Sequence, residues 1–178
     1  FVNNKNFIIF GIIILILVVT GVYSYDKYLT KKKEEISDNY NSIIIDYSES
    51  KKKQTAAKLI EIINEKDPTY SPLSLYFIID NKLVADKSVI YNLFQTIIND
   101  TSLDKEIKNL VIYKKALFYA EEFDNNENTL LDILNPLINS ESVWKSHALY
   151  LMAEYFYSKN QNQKSKEFFE KIISLENA

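Results

Sequence analysis

The sequence predicts an all-α protein, with a single N-terminal transmembrane helix followed by an α-solenoid of antiparallel helix hairpins. Three observations carry that expectation. Residues 7–25, FIIFGIIILILVVTGVYSY, run without a charge between Lys5 and Asp26. Beyond them, apolar residues recur at helical rather than alternating spacing. Both glycines, Gly11 and Gly21, fall inside the apolar stretch, so residues 26–178 contain none. The organisation expected is a flank over residues 1–6, a span over 7–25 and one helical domain over 26–178.

At about 1.5 Å per residue, a helix over residues 7–25 covers roughly 28 Å, close to the ~30 Å hydrocarbon core of a bilayer. Most of its residues are Phe, Ile, Leu or Val, each worth about −0.3 to −0.6 kcal/mol at the centre of an inserting helix. Phe7 and Phe10 at one end, and Tyr23, Tyr25 and Tyr28 at the other, suit the two membrane interfaces. Val22-Tyr23-Ser24 resembles a signal-peptide cleavage site, but the apolar run exceeds the usual ~7–15 residues of such a peptide, which favours an uncleaved anchor. Phe1 is not an initiator Met, so residues upstream are expected. Lys27, Lys31, Lys32 and Lys33 follow the span and Lys5 precedes it, a distribution that by itself favours a cytoplasmic C-terminal part.

Residues 26–178 are enough for one domain. A net charge of −3 gives no general attraction to nucleic acid. All basic residues are lysine, so there is no bidentate fork for phosphate or guanine. With no cysteine, disulfides, thiolate chemistry and cysteine-based zinc sites are excluded. Turns must use Asn, Asp and Ser instead of Gly, and Asn81, Asn99-Asp100, Asn125-Asn126, Asn139 and Asn160 fall where helix C-caps are wanted.

The elements follow in order. Ile36, Tyr40, Ile43, Ile44 and Tyr47 predict a helix from about Asp26 to Glu49. Ala56, Leu59, Ile60 and Ile63 predict a second over Lys53–Lys66, stopped by Asp67-Pro68. Ser71 as N-cap and Pro72 at the first position open a third, to about Asp80. Val89, Ile90, Leu93, Phe94, Ile97 and Ile98 form the stripe of a fourth over Lys87–Asn99. Thr101-Ser102, Asp104 and Glu106 begin a fifth that reaches Glu122. Leu130, Leu131, Ile133, Leu134 and Ile138 make a sixth, with Pro136 expected to kink or end it near Asn135. Val143–Lys159 is apolar on most sides and reads as a covered inner helix. After the turn Asn160-Gln161-Asn162, Phe168, Phe169, Ile172, Ile173 and Leu175 give a one-faced outer helix to about Glu176.

An inner helix paired with an amphipathic outer one is the unit of an α-solenoid. Leu75, Tyr113 and Leu151 lie 38 apart on successive inner helices, and Leu93, Leu131 and Phe169 lie 38 apart on outer ones.

Little points to catalysis. Without glycine after residue 25 there is no phosphate-binding loop, dinucleotide fingerprint or nucleophile elbow. His147 is the only histidine, and no Ser or Cys motif marks a nucleophile beside it. The carboxylates lack metal-loop or paired-acid spacing, so no catalytic residue, metal or cofactor is expected, nor a small-molecule substrate. Lys31–Lys33 could meet anionic headgroups. Most aromatics at helical spacing belong in a core. The exceptions lie on the open stripe of the inner helices, where a solenoid presents its concave face: Tyr113 and Leu117, then His147, Tyr150, Glu154 and Tyr157. Such a stripe suits extended or unfolded peptide segments.

The segment from Ser146 to Asn177 resembles a tetratricopeptide repeat. Leu149, Met152, Ala153 and Phe156 match its first helix, and Ser165 and Phe169 its second; Asn177 stands where the repeat prefers Pro and Ile172 where it has Ala. In the preceding hairpin Ala116 and Tyr119 match, with Lys115 where Leu belongs. Together with the single span and the helical hairpins, the chain resembles the tetratricopeptide-like ancillary subunit of the bacterial Sec translocon. That resemblance implies a non-catalytic, single-pass inner-membrane protein with its domain in the periplasm. Its implied partners are the translocon, periplasmic chaperones and newly exported polypeptides. The other reading is a similarly anchored scaffold for envelope assembly or cell division. An enzyme or small-ligand sensor would instead need a deep pocket with convergent polar groups.

Overall fold

The computed structural model describes residues 5–123 and 126–176, and all regular structure among them is helical. The flank over residues 1–4, Asn125, Asn177 and the Phe7 side chain lie outside the description. Eight α-helices follow one another: α1 (Lys5–Ile45), α2 (Lys52–Asn64), α3 (Tyr70–Asp80), α4 (Lys87–Asp100), α5 (Lys105–Glu122), α6 (Glu127–Ile138), α7 (Lys145–Ser158) and α8 (Asn162–Glu176). A single 3-10 turn at Glu49–Lys51 precedes α2. The chain divides into two compact units, one ending at Asp46 and the other beginning at Tyr47.

The first unit is α1, long and apolar enough to cross a membrane, with mean hydropathy reaching 2.1. Every side chain from Ile9 to Glu35 is exposed. The Thr20 hydroxyl donates back to the Ile16 carbonyl at 2.8 Å, so this polar group amid apolar neighbours is satisfied within the helix. The Lys27 ammonium lies 5.5 Å from the Tyr23 ring centroid, a lysine and a tyrosine together where the apolar run ends. The expected span and the following helix are one continuous element, which stops at Ile45 rather than Glu49.

In the second unit each helix from α2 to α8 packs on its sequence neighbour, and α2 also packs on α4 and α5 on α7. Its core includes Leu59, Ile62, Ile63, Leu75, Ile78, Phe94, Ile97, Leu130, Leu134, Leu137, Leu149 and Met152, each under 2 % exposed. The Phe94 and Phe118 rings meet at 5.8 Å and those of Phe156 and Phe168 at 5.4 Å.

Several local expectations are corrected. The N-cap of α3 is Thr69 rather than Ser71. The Asp67 carboxylate accepts from the Thr69 and Tyr70 amides at 2.8 and 2.7 Å, while the buried Ser71 hydroxyl reaches back to the Ile62 and Ile63 carbonyls. Thr101 closes α4 and Asp104 is the N-cap of α5. Pro136 neither ends nor begins anything: it lies inside the last turn of α6, two residues before its end, exposed to solvent. Asn81, Asn139 and Lys159 are the C-caps of α3, α6 and α7, whereas Asn126 caps the N-terminus of α6, accepting from the Asn128 and Thr129 amides. The left-handed turns fall on Lys66, Lys82 and Asn160, with φ of 58°, 50° and 59°.

The spacing of buried residues along the helices also differs from the 38 expected. Buried sets on α3, α5 and α7 recur 37 residues apart, as Ser74, Val111 and Ala148, and as Leu75, Ile112 and Leu149. The 38-residue series pairs buried Leu75 with half-exposed Tyr113 and Leu151, because one residue turns a helix by about 100°. Between α6 and α8 a spacing of 35 residues sets the buried Leu130, Ile133, Leu134 and Leu137 against Ser165, Phe168, Phe169 and Ile172, of which Ser165 is buried, Phe168 and Ile172 half-buried and Phe169 exposed. Between α4 and α6 the buried stripe recurs at 40, Phe94 and Ile97 answering to Leu134 and Leu137. One spacing therefore cannot fit both rows of helices.

Candidate protein-binding surface

The start of α7 is tied to α5 by a polar cluster. The Asn109 amide donates to the Ser142 hydroxyl at 3.0 Å, the Ser142 hydroxyl donates to Glu106 Oε2 at 3.0 Å, and the Trp144 backbone amide donates to Ser142 Oγ at 3.1 Å. This anchor sets the indole of Trp144 against the Tyr113 ring, stacked at 5.6 Å and 24°. The His147 ring meets Tyr113 edge-on at 5.8 Å and lies 5.3 Å from Trp144. Burial, and then the negative charge of Glu154, push the Tyr113 phenol up from its ordinary value.

One turn further along α7, the Tyr150 phenol donates to Glu154 Oε1 at 2.8 Å. That hydrogen bond, followed by the carboxylate's charge, raises the Tyr150 pKa. The ring of Tyr150 also meets Phe169 of α8 edge-on at 5.9 Å. Tyr150 remains 48 % exposed and Tyr157 69 % exposed. Tyr150, Glu154 and Tyr157 are spaced i, i+4 and i+7, which places them on one face of the helix.

Of the six residues singled out in the sequence, Tyr113, His147, Tyr150 and Glu154 therefore form one connected patch, and Tyr157 extends its stripe. Leu117 does not join them. It lines a cavity of about 290 Å³ with Tyr76, Ile79, Asp80, Phe94 and Lys114. The Tyr76 hydroxyl there is buried with no hydrogen-bond partner, and burial pushes its pKa up to about 12. A phenol so raised stays neutral and is a weak acid, the opposite of the poise a proton-transfer group needs. Among the described residues no cluster of His, Asp and Glu could hold a metal ion.

The sequence reading missed Trp144, whose stacking partner Tyr113 lies on another helix, and it placed Phe169 on the stripe of the outer helix without pairing it with Tyr150. It also left Lys115 unexplained. Lys115 is buried, with its ammonium 4.3 Å from the Tyr91 ring centroid, and desolvation lowers its pKa. Its signal was present: 37 residues on, the equivalent position holds fully buried Met152.

Compared with known protein families, curated proteins and solved structures, the chain matches none.

Proposed function

We propose that this protein is a non-catalytic, membrane-anchored protein-interaction module, with α1 as its single span and a tetratricopeptide-like solenoid in α2–α8. The observation that carries the reading is the solvent-exposed stripe of Tyr150, Glu154 and Tyr157 on α7. Aromatic rings with a polar tip and few rotatable bonds are well suited to hold a polypeptide. The resemblance of the layout to the ancillary Sec subunit supports a more specific form. In that form the domain stands in the periplasm of a bacterial inner membrane, linking the Sec channel to periplasmic chaperones and newly exported polypeptides. The four lysines that follow the apolar run favour a second form, a scaffold facing the cytoplasm.

A C-terminal reporter active only outside the cytoplasm separates the two. Activity supports the translocon form, and silence from a stably expressed fusion removes it. Site-directed crosslinking tests the surface itself. Tyr150→Ala with Tyr157→Ala is expected to lower partner crosslinking several-fold with the far-ultraviolet circular dichroism unchanged. Unaltered crosslinking would show that polypeptides bind elsewhere.

A further inference from the structure

α5 and α7 close on one another where Trp144 stacks on Tyr113 and His147 meets it edge-on. Tyr76 on α3 stands 37 residues before Tyr113, but the residues of α5 that stand 37 before Trp144 and His147 are Ile107 and Leu110. Neither brings a ring. α3 packs on α4 and α4 on α5, and facing residues of α3 and α5 leave between them the cavity of about 290 Å³.

Much of that cavity's wall is apolar, from Phe94, Leu117 and Phe118, and its charges are unbalanced. Asp80 at the end of α3 and Glu121 in the last turn of α5 line it, and the one ammonium beside them is that of Lys114. Lys114 pairs with neither carboxylate. It lies 5.9 Å from the centroid of the Tyr76 ring, near the outer limit of a cation–π contact. Among the described residues no lysine forms an ion pair with Asp80 or Glu121, although close by Lys87 is held by the Glu122 carboxylate at 2.9 Å and by its carbonyl at 2.8 Å. A second cavity of about 540 Å³, lined by Lys82 and Lys87, shares Ile79, Asp80, Phe118 and Glu121 with the first. The two unpaired carboxylates therefore belong to both.

We propose that the cavity between α3 and α5 receives the side chain of a lysine or arginine from a bound polypeptide, its methylenes against the apolar wall and its cationic head at Asp80 and Glu121. The inference rests on the reading of α2–α8 as a protein-binding module and adds a chemical preference, at a site apart from the α7 stripe. A basic side chain suits both halves of the cavity. Its stem is apolar enough to leave water, while its head stays at the charged mouth. The two carboxylates gain the counter-charge they lack. The chain itself shows the chemistry, since Lys114 already lays an ammonium over the Tyr76 ring on the same wall. At about 290 Å³ the cavity falls just below the ~300–1,000 Å³ of sites for drug-sized molecules, a size for one side chain. The adjoining cavity gives the chain that carries it a place to run, which favours a polypeptide over a free amine.

The probe is a fluorescent peptide, Ala-Ser-Ser-Lys-Ser-Ser-Ala, titrated onto the full-length protein in phosphatidylcholine nanodiscs. The result expected is saturable binding that falls at least tenfold when norleucine, apolar and uncharged, replaces the lysine. Asp80→Asn with Glu121→Gln should cost as much. Lys114→Met, which removes the competing ammonium, should tighten binding several-fold. With Asp80→Lys and Glu121→Lys together, a peptide carrying glutamate in place of its lysine should bind better than the original. Asp80, Lys114 and Glu121 are all exposed, so helicity should not change in any of these variants. A norleucine peptide that binds as tightly, or a lysine peptide indifferent to Asp80 and Glu121, overturns the proposal. Cadaverine that binds through the two carboxylates while the lysine peptide does not makes a free amine the occupant and overturns the polypeptide. If no probe binds, this site falls; the wider reading falls with it only when Tyr150→Ala with Tyr157→Ala also leaves partner crosslinking unaltered.

Discussion

At the scale of single residues, the Tyr76 hydroxyl, like those of Ser74 and Thr101, is buried with no partner, and it lies beside Phe94 and Leu117. Leaving a buried polar group unpaired costs about 1–3 kcal/mol. Tyr76→Phe keeps the ring and its contact with the Lys114 ammonium, 5.9 Å from the centroid, and removes the orphan. The variant is expected to be more stable by about 1 kcal/mol in denaturant titrations. The pH dependence gives a second check. The folded pKa, about 12, lies above the ordinary 10.0, so between those values the folded state holds the proton that the unfolded state releases. Stability from this group is whole below pH 10 and lost as the pH rises toward 12. Tyr76→Phe should flatten that alkaline loss, and an unchanged slope would mean that the hydroxyl is solvated. Tyr150 and Glu154 are readable in the sequence as neighbours, because i, i+4 spacing on one helix needs no tertiary knowledge, whereas Tyr113 on α5 meets His147 only through the packing of α7. Leu117, four residues from Tyr113, went astray because a helix stripe is wide enough to face two surfaces.

At the scale of elements, the absence of glycine after residue 25 is felt where chains reverse. Lys82 sits at φ 50° and the Leu83 amide reaches back to the Ile78 carbonyl at 2.9 Å, as the Gln161 amide does to Phe156 across the turn at Asn160. Both are helix ends that glycine usually serves. A side chain in the left-handed region costs about 1–2 kcal/mol, of which glycine gives back some through its freer unfolded state. Lys82→Gly is therefore expected to raise stability by roughly 0.5–1 kcal/mol, seen as a higher melting temperature with unchanged helicity. A fall would mean that the lysine side chain holds the turn in another way. Helix order was legible because apolar stripes of α4, α6 and α8 repeat at 3.6 residues. The exceptions were legible only in space. Asp67 caps α3 from three residues upstream, leaving Ser71 to bond the end of α2, and Pro136 is tolerated because so near a helix end it breaks at most one bond of the ladder. The expected spacing of 38 residues does not match the burial, because a row of apolar residues on each helix fits neighbouring spacings almost equally well; burial of Ser74, Val111 and Ala148 favours 37 along α3, α5 and α7.

At the scale of the whole molecule, one chain carries apolar residues of two kinds, exposed along α1 and buried in α2–α8. From Ile9 to Glu35 every side chain of α1 is exposed, and that surface is apolar up to the tyrosines near its middle; α2–α8 hide their apolar stripes against one another. Burying the first set in hydrocarbon is favoured by several kcal/mol on the insertion scale, while exposing it to water makes an apolar patch far beyond what soluble proteins carry. Deleting residues 1–25 leaves the polar part of α1 and all of the α2–α8 core, whose fully buried residues run from Leu59 to Met152. That variant is expected to stay in solution without detergent, to keep the helical circular dichroism of α2–α8 and to melt cooperatively. It should also fail to float with lipid vesicles, whereas the full chain should float and resist extraction by high salt or carbonate. Flotation of the shortened protein would move the attachment from the apolar run to Lys27 and Lys31–Lys33, whose pull on an anionic surface salt weakens. Aggregation of the shortened protein would mean that the apolar run belongs against the helical domain, and the anchor would have to be abandoned together with the function built on it.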